Sequence, residues 1–299
     1  MSAFTGLGAF PLTPIVDDRV DESAFVRIIA RLAASGVDSI TALGSTGSAA
    51  YLDPQERARV AALAVEHAGA VPVLVGVGAL RTSDVRRHID GAEAAGAAGL
   101  LLAPMSYQPL TDDEVFELFR TAVEHTALPV VVYDNPGTTH FSFTIDLYAR
   151  IAALPGIASI KIPGVPRDPD AARRRIRAIR AVVPAQVTVG VSGDASGVDG
   201  LRAGCDAWYS AIAGTVPEPF VRMVAAVAQG RADDAVIASE RFAPLWELFA
   251  AHGGSLRVIA VIAEHLGLVT GDTLPQPIRG LTGADRRRVI AASETLGLA

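Results

Sequence analysis

VVVYDNPGTTHFSFTIDLYARIAALPGIASIK, residues 130–161, decides how this chain folds. It opens on a short, continuously apolar and β-branched run, Val130–Tyr133, and closes on another, Ile157–Lys161. Runs of that length and composition suit parallel strands buried on both faces. Between them Leu147, Ile151 and Leu154 fall on one side of a helix. The stretch is therefore a strand, a crossover helix and a second, parallel strand.

The same unit repeats outward in both directions. Strand-like runs stand at Gly8–Leu12, Val37–Leu43, Val71–Gly76, Gly99–Ala103, Val187–Val191 and Ala207–Ser210. Helical stripes are carried by Phe25, Ile28, Ile29 and Leu32, by Val115, Leu118, Phe119 and Ala122, and by Ile176, Ile179 and Val183. Asp53-Pro54 followed by Glu56, and Thr111 followed by Glu114, are helix-start signals. Strand starts recur roughly every 20–34 residues, the span of a βα unit, so eight units fit into residues 1–230. The expected fold is α/β, a (β/α)8 TIM barrel. Over residues 231–299 the alternation gives way to helices at Phe242–Ala251, Leu256–Leu266 and Ala284–Leu296, a C-terminal helical extension.

Composition narrows the function. Apolar residues make up 50% of the chain, enough for a large core. The net charge of −6 argues against a nucleic-acid partner, and no apolar run approaches the length of a membrane span. A lone cysteine, Cys205, and an N-terminal stretch without a cationic segment point to the cytoplasm. The six histidines are scattered, with no pair at metal-ligand spacing, so neither a metal nor a cofactor is called for. Of the 26 basic residues only one, Lys161, is lysine. Arginine replaces lysine wherever a solvated charge suffices, but it cannot supply a deprotonatable amine.

In such barrels the chemistry sits where strands end. Those ends carry Gly44-Ser45-Thr46-Gly47-Ser48, Pro104-Met105-Ser106-Tyr107-Gln108, Tyr133-Asp134-Asn135-Pro136, Lys161 and Ser192-Gly193-Asp194. Lys161, flanked by Ile160 and Ile162, is expected to be desolvated and to have a lowered pKa, which suits Schiff-base formation with a carbonyl substrate. A phenol at Tyr133 could move the protons that imine chemistry requires. The Gly44–Gly47 loop, with the Ser45 and Thr46 hydroxyls, suits a carboxylate. Taken singly, an ion-paired lysine, a core tyrosine and a plain turn read the same way. Gly190–Gly193 leaves a phosphate- or flavin-binding barrel as a further reading.

Taken in order, Gly8–Pro14, the Gly44–Gly47 loop, Tyr107, Tyr133-x-Asn135-Pro136, Ser159-Ile160-Lys161 and Gly193-Asp194 resemble the dihydrodipicolinate synthase / N-acetylneuraminate lyase family, of which the chain looks like a divergent member. The resemblance implies a class I pyruvate-type aldolase and a homo-oligomer, tetramer or dimer. It implies an imine on Lys161, proton relay through Tyr133, Ser45 and Tyr107, and carboxylate binding by Ser45 and Thr46. Tyr209 falls where the family offers a backbone carbonyl. The implied substrates are a 2-keto acid and an aldehyde. Two positions depart from the family: the loop usually continues with glutamate where Ser48 stands, and the synthases carry an arginine where Pro136–His140 has Thr138. Authentic 4-hydroxy-tetrahydrodipicolinate synthase, condensing pyruvate with aspartate semialdehyde, and a non-catalytic keto-acid binder are the alternatives.

Overall fold

A computed structural model describes residues 3–298. Eight parallel strands close into a barrel: β1 Gly6–Ala9, β4 Ser39–Ala42, β5 Val73–Gly76, β6 Gly99–Leu102, β7 Val130–Tyr133, β8 Ile157–Ile162, β9 Thr188–Val191 and β10 Ala207–Ser210. β1 pairs with β10 on one side and β4 on the other, which completes the ring. Helices alternate with the strands, among them α1 (Glu22–Ala33), α3 (Thr82–Ala95), α6 (Ile145–Ala152), α7 (Pro169–Arg180) and α8 (Gly197–Ala203), and the fold is the expected TIM barrel. Their starts follow the sequence signals. α2 (Pro54–His67) is capped by Asp53 and α4 (Asp112–His125) by Thr111, each in a reciprocal capping box.

Side-chain direction follows from strand parity. Val130 and Val132 of β7, Ile160 and Ile162 of β8, and Trp208 of β10 face the helices and join the large outer core. Residues of the opposite parity, Val131, Tyr133, Ala207 and Tyr209, meet Phe10, Leu74 and Leu101 inside the barrel. Lys161 shares its parity with Ser159, whose hydroxyl meets that of Tyr209 in the interior at 2.9 Å. Register sets Tyr133, Lys161 and Gly190 side by side across β7, β8 and β9.

Several strand limits differ from the sequence reading. β1 spans Gly6–Ala9 rather than Gly8–Leu12, because Pro11 has no N–H with which to continue the ladder. Val37, Val71, Ala103 and Val187 are apolar lead-ins or exits outside the strands, while β8 runs one residue longer, to Ile162. A small hairpin, β2 (Ile15–Val16) with β3 (Arg19–Val20), has no counterpart in the sequence reading. Its turn places Asp17 and Asp18 at φ of 50° and 60°, a turn more often signalled by glycine or asparagine.

The C-terminal helices α10 (Ala232–Glu240), α11 (Ala243–Ala251), α12 (Leu256–His265) and α13 (Gly283–Thr295) pack against the barrel. α10 is absent from the sequence reading, its apolar positions being bunched at Ala235–Ala238 rather than spaced as a stripe. A chain of rings joins the two parts. Trp208 of β10 meets Phe220 of α9 (Glu218–Ala228) at 5.4 Å, and Phe220 meets Phe242 at 5.1 Å.

The barrel interior has room for the Tyr209 ring only because glycine lies beside it. A Cβ built on Gly190 would fall 2.3 Å from a carbon of that ring. Gly190 therefore belongs to packing, and the phosphate cradle considered for Gly190–Gly193 finds this position filled by an aromatic ring. Gly190→Ala is expected to destabilise the protein by about 1–3 kcal/mol, the usual cost of overpacking a closed core. Urea unfolding would measure it, and an unchanged midpoint would show that the ring can move aside.

Candidate active site at the barrel mouth

Lys161 is 4% exposed and ends among aromatic faces. Its Nζ lies 3.6 Å from the centre of the Phe10 ring and 4.3 Å from that of Tyr133. Burial lowers its pKa from 10.5 to about 7, partly offset by the negative charge of Asp194. A shift of that size disfavours the charged form by on the order of 5 kcal/mol. Attraction between an ammonium and desolvated ring faces is worth about 2 kcal/mol. Desolvation wins, and at neutral pH a large share of the amine is uncharged and nucleophilic.

Asp194 is itself buried and follows Gly193 at the end of β9. It accepts hydrogen bonds from Ser210 Oγ at 2.7 Å, the Ile212 amide at 3.1 Å and Trp208 Nε1 at 3.3 Å. Burial pushes its carboxyl upward in pKa, and these donors with the Lys161 charge pull it back down. The carboxylate thereby ties the end of β10 to the turn after β9.

The Tyr133 hydroxyl is the junction of the site. Asn135 Nδ2 donates to it at 2.8 Å, and Ser45 Oγ stands 3.1 Å away. With Asn135 donating, the phenolic proton is directed at Ser45 or at whatever oxygen binds between them. Burial raises the Tyr133 pKa, so the phenol stays protonated and available as an acid. Asn135 also donates to Thr138 Oγ1 at 2.9 Å, because Pro136–Thr139 forms a helical turn (α5) that brings Thr138 back over it. Below this turn Asp134 is buried and accepts a hydrogen bond from the Tyr148 hydroxyl.

The Gly44–Gly47 loop is held down on β5. A Cβ on Gly76 would come within 1.9 Å of the Leu43 carbonyl oxygen, so only glycine lets Leu43 turn there, at a left-handed φ of 58°. Ser45 is thereby presented to solvent opposite Tyr133, while Thr46 beside it is buried. A cavity of about 270 Å³ opens between these groups, walled by Ser45, Ser48, Arg57, Tyr133, Asn135 and Thr138 among others. Lys161 lies against the face of the same Tyr133 ring.

Of the residues singled out from sequence, the structure gathers Lys161, Tyr133 and Ser45, with Thr46 adjoining and Tyr209 beneath. The Tyr209 ring centre is 5.9 Å from Lys161 Nζ, and its hydroxyl is occupied by Ser159. Tyr107 is not brought in. It is 90% exposed, and its hydroxyl has no hydrogen bond among the described residues. Phe10, Asn135 and Arg57 were not assigned roles from sequence. Arg57 had a legible signal, since it opens the stripe that Val60, Ala61 and Ala64 continue on the buried face of α2. Among the described residues no group of three acidic, histidine or cysteine side chains could hold a metal, and no helix is long and apolar enough to cross a membrane.

Residues 3–295 match the Dihydrodipicolinate synthetase family. A crystal structure of dihydrodipicolinate synthase from Agrobacterium tumefaciens superposes with a TM-score of 0.94 and 42% identity, covering 98% of each chain. A 4-hydroxy-tetrahydrodipicolinate synthase from Escherichia coli O139:H28 is 27% identical over 297 residues, 99% of each chain. One from Hyphomonas neptunium is 37% identical over 157 residues, spanning 52% of this chain and 54% of the relative.

The amine's setting predicts its titration. Labelling of Lys161 by a small acylating reagent, followed by peptide mass spectrometry across pH, should rise with a midpoint near 7. Asp194→Asn removes the negative charge that favours the ammonium, so the midpoint should move to lower pH. A midpoint at the ordinary lysine value of 10.5 would mean that water reaches the amine.

Proposed function

The chain belongs to the Dihydrodipicolinate synthetase family, and on that premise we propose that it is a Schiff-base-forming lyase acting on pyruvate or a related 2-keto acid through Lys161. The observation that carries this reading is the chain's single lysine, desolvated against Tyr133, whose hydroxyl is shared with Ser45 and Asn135.

The neutral amine adds to the keto carbon. The carbonyl oxygen takes up protons and leaves as water, for which the Tyr133 phenol, oriented by Asn135, is the nearest acid. Loss of a proton from the adjacent carbon turns the imine into an enamine. Its carbon adds to an aldehyde, and the aldehyde oxygen takes up a proton. Hydrolysis then returns the free amine. Cleavage follows the same steps in reverse; dehydration requires a longer 2-keto acid, whose enamine expels a hydroxyl from the next carbon along, that hydroxyl taking up a proton and leaving as water. Ser45 and Thr46 supply hydroxyls for the keto-acid carboxylate at the Gly44–Gly47 loop. Tyr209 packs below the amine. Tyr107, exposed on a single chain, joins the relay in this reading from a neighbouring copy in a homo-oligomer. The setting is the cytoplasm.

The synthase names of the relatives favour a second reading, condensation of pyruvate with aspartate semialdehyde. Against it stands Thr138 on the cavity wall, where the synthases carry an arginine: it offers one hydroxyl and no charge.

Borohydride reduction in the presence of pyruvate should attach one pyruvate-derived unit to Lys161, located by peptide mass spectrometry. An unmodified Lys161 at saturating pyruvate would sink the reading. Tyr133→Phe keeps the ring that packs on the amine and removes its hydroxyl, so turnover should fall roughly 10²–10⁴-fold with the melting temperature little changed. Synthase activity with aspartate semialdehyde should be weak, by roughly ten- to a hundredfold for the lost charge-assisted contact. Efficient turnover, exceeding that of other aldehydes, would establish the second reading instead.

A further inference from the structure

Arg57 is 5% exposed and, among the described residues, is the only charged side chain lining the mouth cavity. Its guanidinium donates to the Gly76 carbonyl at 2.8 Å and the Gly78 carbonyl at 3.0 Å, while its Nε is buried without a partner. Among the described residues no carboxylate pairs with it, and burial lowers its pKa to about 10. A buried cation is expensive to maintain unless an anion meets it.

Ser48 lines the same cavity, is 2% exposed, and also has a hydroxyl without a partner. It stands where the family loop usually continues with glutamate. The position that would supply an internal counter-charge holds a neutral donor instead. The cavity thus combines an unpaired guanidinium, a free hydroxyl and, on another wall, Thr138 where the synthases place their arginine. Among the described residues no acidic side chain lines it to meet an ammonium group.

We propose that Arg57 and Ser48 form the subsite for a carboxylate of the second substrate, so that the co-substrate is a carbonyl compound bearing a carboxylate and no ammonium group. This inference rests on the Schiff-base reading above and specifies what the enamine meets. In this chain the positive charge at the mouth is carried by α2. A carboxylate entering the mouth completes the ion pair that the fold leaves open, with Ser48 adding a hydrogen bond. An aldehyde of the same length without the carboxylate gains neither contact.

The test compares succinic semialdehyde with butanal, each supplied with pyruvate, in the wild type, Arg57→Met and Ser48→Glu. The wild type should favour succinic semialdehyde by at least tenfold in kcat/KM. Both variants should reduce that ratio toward one. Ser48→Glu matters because it keeps the Arg57 clamp on Gly76 and Gly78 and puts an internal carboxylate in the cavity, so a fold defect in Arg57→Met cannot decide the outcome. Calorimetric titration with succinate, which needs no turnover, should show binding to the wild type that weakens at least tenfold in Ser48→Glu. Equal use of the two aldehydes by a wild type whose Lys161 is captured by pyruvate overturns the inference and leaves the Schiff-base reading standing. Succinate binding that is lost in Ser48→Glu, in a protein whose Lys161 is never captured, supports the anion subsite and removes the Schiff-base reading.

Discussion

Keeping the Lys161 amine out of water demands rings around it, and the rings then dictate which neighbouring positions can carry a side chain at all. Phe10 lies on one side of the amine and Tyr133 on another, with Tyr209 below. Each ring needs space inside a closed barrel, and glycines provide it. A Cβ on Gly44 would press on Phe10, and one on Gly8 or Gly190 on Tyr209. The same packing that lowers the amine's pKa thus sets the residue at three positions, within β1, within β9 and after β4. Chemistry and stability are coupled here through volume as much as through charge.

Both buried carboxylates near this mouth accept hydrogen bonds from the protein, although Asp134 Oδ1 is left without a partner, and this shapes what a ligand meets. Asp194 is saturated by Ser210, Ile212 and Trp208, and Asp134 receives the Tyr148 hydroxyl. Both brace loops at strand ends, and neither lines the cavity. Arg57 is held only by carbonyl oxygens. The surface offered to an incoming molecule is therefore donor-rich and positively charged, although the protein as a whole carries a net charge of −6.

Much of this was legible in the sequence. Apolar β-branched runs mark buried parallel strands because both of their faces are covered, so all eight were visible, and β7 and β10 matched to the residue. Limits failed where an apolar residue packs without joining a ladder, as at Val37 and Val187. The β2–β3 hairpin was missed because Asp17 and Asp18 adopt left-handed conformations that their residue type signals only weakly. At the site, Lys161 and Tyr133 stood out because both fall at strand ends and Lys161 is the single lysine. Asn135 did not, since its role depends on a helical turn that folds Thr138 back onto it. Arg57 could be seen at the head of the apolar stripe of α2, but the carbonyls it donates to belong to β5 and the residues after it and come together only in the folded barrel.

The placement of the one lysine also governs how this protein meets electrophiles. With arginine at every other basic position, no side-chain amine lies on the surface, and the one that exists is 4% exposed among the rings of Phe10, Tyr133 and Tyr209. Bulky amine-directed reagents, including those that attach large tags or crosslink partners, find no side chain to react with. Small carbonyl compounds find one, already deprotonated in large part. Covalent modification of a side-chain amine in this protein is thereby confined to one position, Lys161 inside the barrel.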